Sequence, residues 1–347
     1  MKLVKWKTMK LRYKVAAVLS VATLVAGTAA ANSVLNKPEY ILPATDAATI
    51  KPLAYAGDTF GGFTVRGIPD GMGAMRNADG TITLLSSHEV PSYAPIGTFA
   101  KAADKGKPVL GTSITKFTLN AAGDRVLKAS NFITSWSFYN YNTGTYQDSP
   151  VGAAPQTQTL GMDNFISRFC SATLVQAGAL SYKDGSSTLG YDGAVYLAGE
   201  EDGDNGYARA FAFDMDGNAI NLARMGLASW ENLMPNLKPG KNTVVMGNED
   251  GSATDSQLFM YVGTKTTQGT FADKAGLTNG DVHVMTIPDI ANDNAFRAKY
   301  GKNKAVDVTF TKTIWDADMK TQQVDHAAKG TEMSRIEDGQ WDPTNPN

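Results

Sequence analysis

Three carboxylates fall where an apolar run stops. Glu89 ends TITLLSSHE (Thr81–Glu89), Glu201 ends AVYLAGEE (Ala194–Glu201), and Glu249 lies in TVVMGNED (Thr243–Asp250). Each run leads to an alternating segment: SITKFTLNAAGD, ARAFAFD and QLFMYVG, respectively. Near the C-terminus RIEDG (Arg335–Gly339) offers a fourth acid, Glu337. Acids gathered where the strands of a repetitive β-fold end repel one another and raise each other's pKa. A hard, oxygen-seeking cation such as calcium relieves that repulsion. The same residues also suit solvated turns that merely end strands, and spacing alone leaves both readings open.

The chain has a single cysteine, Cys170, so no intrachain disulfide forms. A lone thiol is buried and inert, bridged to another chain, or bound to a metal. The three histidines are His88, His283 and His326, and no GxSxG elbow is present. No Ser-His-Asp set is evident. His88 stands beside Glu89 and suits either a structural role or a proton shuttle.

These groups need elements to carry them. Met1–Lys14 holds six basic residues and no acid, Val15–Ala26 is apolar, and Ala29-Ala30-Ala31 precedes Asn32. That order predicts a Sec-type signal peptide over 1–31 and an exported, periplasmic or secreted protein without membrane insertion after cleavage. Six of the 32 basic residues fall there and none of the 34 acids, so 26 basic residues remain and the net charge moves from −2 to −8. Such a balance argues against nucleic acid. An extended arm is expected over 32–56.

Short strands are expected at Phe60–Ile68, Thr81–Leu85, Ser113–Leu119, Val282–Ile287 and Val306–Ile314. Pro69–Gly73 (PDGMG) reads as a turn, and Asn77–Gly80 (NADG) favours a hairpin. Phe132–Tyr146 is aromatic without a basic residue, which suggests a surface loop or wet sheet edge rather than a platform for bases. The spacing of Phe165–Leu180 fits a helix or a strand. Lys183–Gly193 and Asp273–Gly280 read as loops, and Leu222–Asn232 and Ile290–Tyr300 as short helices. Asp214–Asn218 (DMDGN) lacks the closing Glu of a calcium loop and reads as a β-turn. Many short strands with an inexact repeat predict an all-β fold, a propeller ahead of a sandwich.

The chain resembles the PhoX-type alkaline phosphatases and their relatives (the DUF839 group). The resemblance lies in IPDGMGAMRNADGTITLLSSHE, FCSA, YLAGEEDG…ARAFAFDMDG, SWENLMPNLKPGKNTVVMGNEDGS…QLFMYVGTK, AGLTNGDVHV and RIEDGQWDPTNPN. It implies a β-propeller domain over 57–347 with a site holding calcium and iron. Carried over by motif, Cys170 is the thiolate bridging the irons, and Glu89, Glu201, Glu249 and Glu337 are metal carboxylates. Arg335 orients the phosphate, with Cys170 beside it in the catalytic centre, and His88, Glu200 and Asp250 stand just behind the ligands. The implied activity is metal-dependent hydrolysis of small phosphomonoesters by a monomer.

Three departures accompany the resemblance. The leader has KLRYK and no Arg-Arg pair, and Ser171-Ala172 stands where the group has Gly-Gly. The group continues with further strands beyond the arginine motif, so the propeller is expected to be incomplete at the C-terminus. The rival function is a non-catalytic, calcium-stabilised secreted binding module. Arg335 together with Cys170 separates the two, since a structural calcium site needs neither.

Overall fold

Three antiparallel meanders carry the apolar alternation of the sequence inward. The computed structural model describes residues 41–89, 95–98, 108–150, 165–201, 208–251 and 256–342. The expected signal peptide over 1–31 and residues 32–40 of the expected arm lie outside them, while 41–56 of that arm carry no helix or strand.

The first sheet runs in chain order through Pro69–Arg76, Ile82–His88, Ile114–Leu119 and Val126–Asn131. The second begins with Phe169–Val175, Val195–Glu200, Ala210–Asp214 and Asn218–Asn221. It is extended by Ser135–Asn140, which pairs parallel to Asn218–Asn221, and by Thr145–Gln147 at the edge. The third runs through Trp230–Pro235, Asn242–Glu249, Leu258–Thr264, Asp281–Thr286 and Thr309–Lys312. These sheets make an all-β, propeller-like fold whose blades start from the inner strands Pro69–Arg76, Phe169–Val175 and Trp230–Pro235. The inner strand of the second blade packs against those of the other two.

The middle blade shows why its sequence is apolar on both faces. In Val195–Glu200 every residue is buried. Val195 and Leu197 join a core with Trp230, Val245 and Phe259 of the third blade. Tyr196 and Ala198 turn the other way, to Leu85, Ile114 and Phe169. Period-two alternation thus serves two interfaces from one strand.

Several expected elements change on folding. Pro69–Gly73 is strand, not turn. A Cβ on Gly71 would come within 2.1 Å of the Ala172 backbone nitrogen, so this glycine permits two inner strands to touch rather than a chain reversal. Phe165–Leu180 holds strand, not helix. Of Leu222–Asn232 only Ala223–Met225 is helical, a single tight turn, and Trp230 already opens the next blade. Its indole is 1% exposed, and that burial overrides local helix preference. Phe132–Tyr146 takes the sheet-edge alternative, supplying Ser135–Asn140 and the start of Thr145–Gln147, with Phe138 buried and Trp136 stacked on it. Lys183–Gly193 forms most of a hairpin, Leu180–Asp184 with Ser187–Tyr191. The Asp214–Asn218 turn forms as expected, its Asp214 carboxylate accepting from the N–H groups of Asp216 and Asn218. The helix near Ile290 is Asp293–Tyr300, capped by Asn292. An unexpected helix, Met319–Lys329, is capped by Asp318. Among the described residues no helix is long and apolar enough to cross a membrane.

Candidate metal centre

Each blade repeats one device. The start of its inner strand pairs with the end of its second strand, at Pro69↔His88, Phe169↔Glu200 and Trp230↔Glu249. One residue further on, the N–H of Glu89, Glu201 and Asp250 donates to the C=O of Ile68, Arg168 and Ser229, each at 2.9 Å. Just past the pair, every inner strand slips register, between Pro69 and Met72, Phe169 and Ala172, and Trp230 and Asn232. Such irregularities re-aim side chains. Here they fall on Asp70, Cys170 and Glu231.

This register corrects the alignment of the three strand ends. Asp250, not Glu249, is the equivalent of Glu89 and Glu201. Glu249 corresponds to His88 and Glu200, one residue earlier, and in a strand one residue reverses the face. Glu249 accepts from the backbone N–H of Ser229 at 3.4 Å and of Gln257 at 3.0 Å. Glu200, fully buried, accepts from Ser167 N–H and holds the Arg209 guanidinium at 2.6 and 2.9 Å. His88 is also fully buried: Nδ1 donates to Gly67 O at 2.9 Å, which leaves Nε2 to accept from Thr115 Oγ1 at 2.7 Å. Both ring nitrogens are engaged, and burial lowers its pKa against the opposing hydrogen bond to Gly67. These three residues tie strand ends within their own blades, and the face beyond them carries the candidate site.

On that face five side chains converge. Potential ligand atoms of Asp70, Glu89 and Cys170 lie within 4.8 Å of one another, and so do those of Cys170, Glu201 and Glu231. The thiol belongs to both groups. Its sulfur is 3.1 Å from Glu231 Oε1 and 3.4 Å from Asp70 Oδ2. One S–H proton cannot serve both acceptors at once. Glu201 is 3% exposed, and its Oε2 has no hydrogen-bond partner. Arg168 spans the two groups, NH1 3.2 Å from Glu89 Oε1 and NH2 2.9 Å from Glu201 Oε1, while its Nε donates to Glu201 O.

The electrostatics follow from crowding. Burial pushes Glu201 up to about 7, opposed chiefly by the Arg168 charge. Burial likewise pushes Glu231 up to about 7, against the hydrogen bond from Cys170 and with help from Glu201 and Asp70. The Cys170 thiol is driven far up by burial, then by Glu231. A cation would reverse all three shifts, and the donor set fits one: four carboxylates, one of them with an orphaned buried oxygen, suit calcium. The shared thiol adds a softer ligand that suits iron better than calcium.

Arg335 and Glu337 sit at the rim. Arg335 grips Asp250 in a forked pair at 2.7 and 2.6 Å. Its side chain is 56% exposed, and its φ of 48° is one a non-glycine residue seldom adopts. Glu337 lies 3.6 Å from Arg335 with its side chain 59% exposed, while its backbone oxygen accepts from Asn248. Thus Cys170, Glu89 and Glu201 come together, Asp250 and Arg335 stand beside them, and Glu249 and Glu337 belong to neither ligand group.

Asp70, Glu231 and Arg168 were not singled out by the sequence. A signal for the first two existed. Asp70 precedes Glu89 by 19 residues, and Glu231 precedes Asp250 by 19. Each follows a bulky or ring residue, as Cys170 does. Reading PDGMG as a turn and SWEN as helix concealed that match.

No family model matches this sequence, and no curated protein matches it. Among solved structures the chain is similar to Pseudomonas fluorescens PhoX in complex with vanadate, a transition state analogue. The identity is 11% and the TM-score 0.47, over 80% of this chain and 57% of that one.

Proposed function

We propose that this protein is an exported, cation-dependent phosphomonoester hydrolase. The observation that carries the reading is the pair of ligand groups sharing Cys170, with two arginines at their edge. Asp70, Glu89 and Cys170 would hold one cation, and Cys170, Glu201 and Glu231 another. When bound, such cations stabilise negative charge on phosphoryl oxygens. Asp250 holds the Nε/Nη2 edge of Arg335 and fixes its orientation, so the Nη1 side of the guanidinium would meet a phosphate. Glu200, His88 and Glu249 hold the strand ends against one another, so the ligand spacing does not depend on a flexible loop. The PhoX-like motifs point to the same chemistry and to calcium with iron.

The test is metal analysis of purified protein together with hydrolysis of p-nitrophenyl phosphate, with and without added calcium and iron. Hydrolysis that needs the cations and is lost in Asp70→Asn and Glu231→Gln, with unchanged circular dichroism, supports the assignment. Cation binding without hydrolysis would make the protein a calcium-stabilised binding module. Absence of cation binding would dismiss the centre itself.

A further inference from the structure

A cationic side chain reaches both ligand groups of the centre. Arg168 takes Glu89 from one ligand group and Glu201 from the other, so a single guanidinium engages both cation positions. We propose that Arg168 is a built-in counter-ion, displaced from Glu89 and Glu201 by bound divalent cations, and that its released NH1/NH2 edge then binds an anionic oxygen of the ligand. This deepens the reading of the centre as a cation site and rests on it.

Two observations separate this role from that of a strut. First, the threefold repeat supplies internal controls. Ile68, Arg168 and Ser229 are equivalent residues, each accepting the N–H of the strand-end acid at 2.9 Å. Two blades close this contact without a cationic side chain, so blade closure does not require the guanidinium. Second, the contacts of Arg168 divide into fixed and replaceable sets. Its backbone oxygen and Nε are tied to the Glu201 main chain, which no cation at the carboxylates disturbs. NH1 and NH2 meet carboxylate oxygens of the two ligand groups, Glu89 Oε1 and Glu201 Oε1, which a bound cation would claim, and the side chain is 35% exposed.

The charge balance gives the direction. An arginine beside a carboxylate stabilises the ionised form, which a buried group without a cation otherwise lacks. A divalent cation brings twice the charge to the same oxygens and accepts several ligands at once, whereas the guanidinium is limited to hydrogen-bond geometry. Once those oxygens turn to the cation, NH1 and NH2 give up these carboxylate contacts on a side chain that is already 35% exposed. That paired N–H edge is the donor pattern a phosphate or another oxyanion matches.

The experiment compares metal-stripped wild type with Arg168→Gln. Calcium binding is followed by titration calorimetry at fixed pH and ionic strength. Removal of the competitor is expected to tighten calcium binding about tenfold. Inorganic phosphate is then titrated into the calcium-saturated proteins, and its affinity is expected to fall about tenfold in the variant. A variant that binds calcium equally or more weakly overturns displacement. Unchanged phosphate affinity overturns the anion-binding role. If neither protein binds calcium, the cation-site reading fails, and this proposal with it.

A measurement on the wild type guards against a variant that does not fold. Phenylglyoxal modification of Arg168, read by peptide mass spectrometry, should be slow without calcium, faster with it, and slowed again by phosphate. Reactivity indifferent to calcium would show that the guanidinium keeps its carboxylates and would sink the proposal.

Discussion

The Cys170 thiol meets Glu231 Oε1 across 3.1 Å, joining the inner strands of two neighbouring blades. Both residues stand where the inner strand slips register, and both are less than one-tenth exposed. A contact of this kind between an acid and a thiol adds little cohesion by itself. Its consequence is to leave two buried titratable groups poorly satisfied, which a shared cation would correct.

Glu231 and Glu249 should therefore respond in opposite ways to amide substitution. Glu231→Gln removes a ligand charge and is expected to weaken calcium binding by about tenfold or more. Glu249→Gln sets an NH2 group against a backbone N–H and is expected to cost about 1–3 kcal/mol of stability. Calcium affinity in that variant should stay within about threefold of wild type. Calorimetry and urea unfolding read the two effects separately. Loss of calcium binding in Glu249→Gln with stability unchanged would return Glu249 to the ligand set.

The difference between those two glutamates explains how far the sequence could be read. Repeated apolar runs ending in acids revealed an all-β repetitive fold and two members of the side-chain cluster, Glu89 and Glu201. Cys170 stood out because it is the only thiol. Register is a tertiary property, however: GNED alone does not say whether Glu249 or Asp250 faces the cluster, and strand pairing decides it. PDGMG carries turn residues, yet its glycines answer to the neighbouring blade. Arg168 was hidden because nothing local marks an arginine whose partners lie 79 residues before it and 33 after it.

The inner-strand contact at Gly71 can be tested directly. A Cβ there would lie 2.1 Å from Ala172 N, and backbone cannot yield as a side chain can. Gly71→Ala is expected to destabilise by about 1–3 kcal/mol or more through overpacking. Gly67→Ala is the control, since a Cβ there meets nothing within 4 Å and its φ is not positive. It should remain within about 0.5 kcal/mol of wild type. Urea midpoints for the two variants decide the matter, and equal midpoints would mean that the blades do not approach as closely as described.

The metal-free protein should lose stability as the solution becomes alkaline. Burial raises Glu201 and Glu231 from the ordinary 4.5 to about 7 in the folded state. Between those values the folded state binds more protons than the unfolded state, so stability falls as pH rises. The two groups together should cost on the order of 2 kcal/mol between pH 6 and 8. Buried His326, lowered to about 4, and His88 work in the opposite direction, losing stability as pH falls below about 6.5. Comparison with the Glu201→Gln/Glu231→Gln double variant isolates the carboxyls. Melting in EDTA should show the alkaline fall in wild type and not in the variant. A wild-type melting temperature that rises from pH 6 to 8 would contradict the crowding.

Cys170 would decide which class of cation the cluster holds. Four carboxylates can hold calcium without sulfur, whereas a shared thiolate would favour iron. Burial and Glu231 keep the thiol protonated in the metal-free protein, so only a metal that binds sulfur strongly would remove that proton. Cys170→Ser keeps a small polar group in the same space and replaces a soft ligand with a poor one. It should retain calcium binding within about tenfold of wild type and lose bound iron. Iodoacetamide should alkylate Cys170 slowly at pH 8 in the metal-free protein, because little thiolate exists, and calcium alone should not accelerate it. Elemental analysis of wild type and Cys170→Ser after reconstitution with both metals reads the outcome. Equal iron content in the two proteins would show that the thiol bridges nothing. The five-residue cluster would then be a calcium centre with a packed cysteine at its middle.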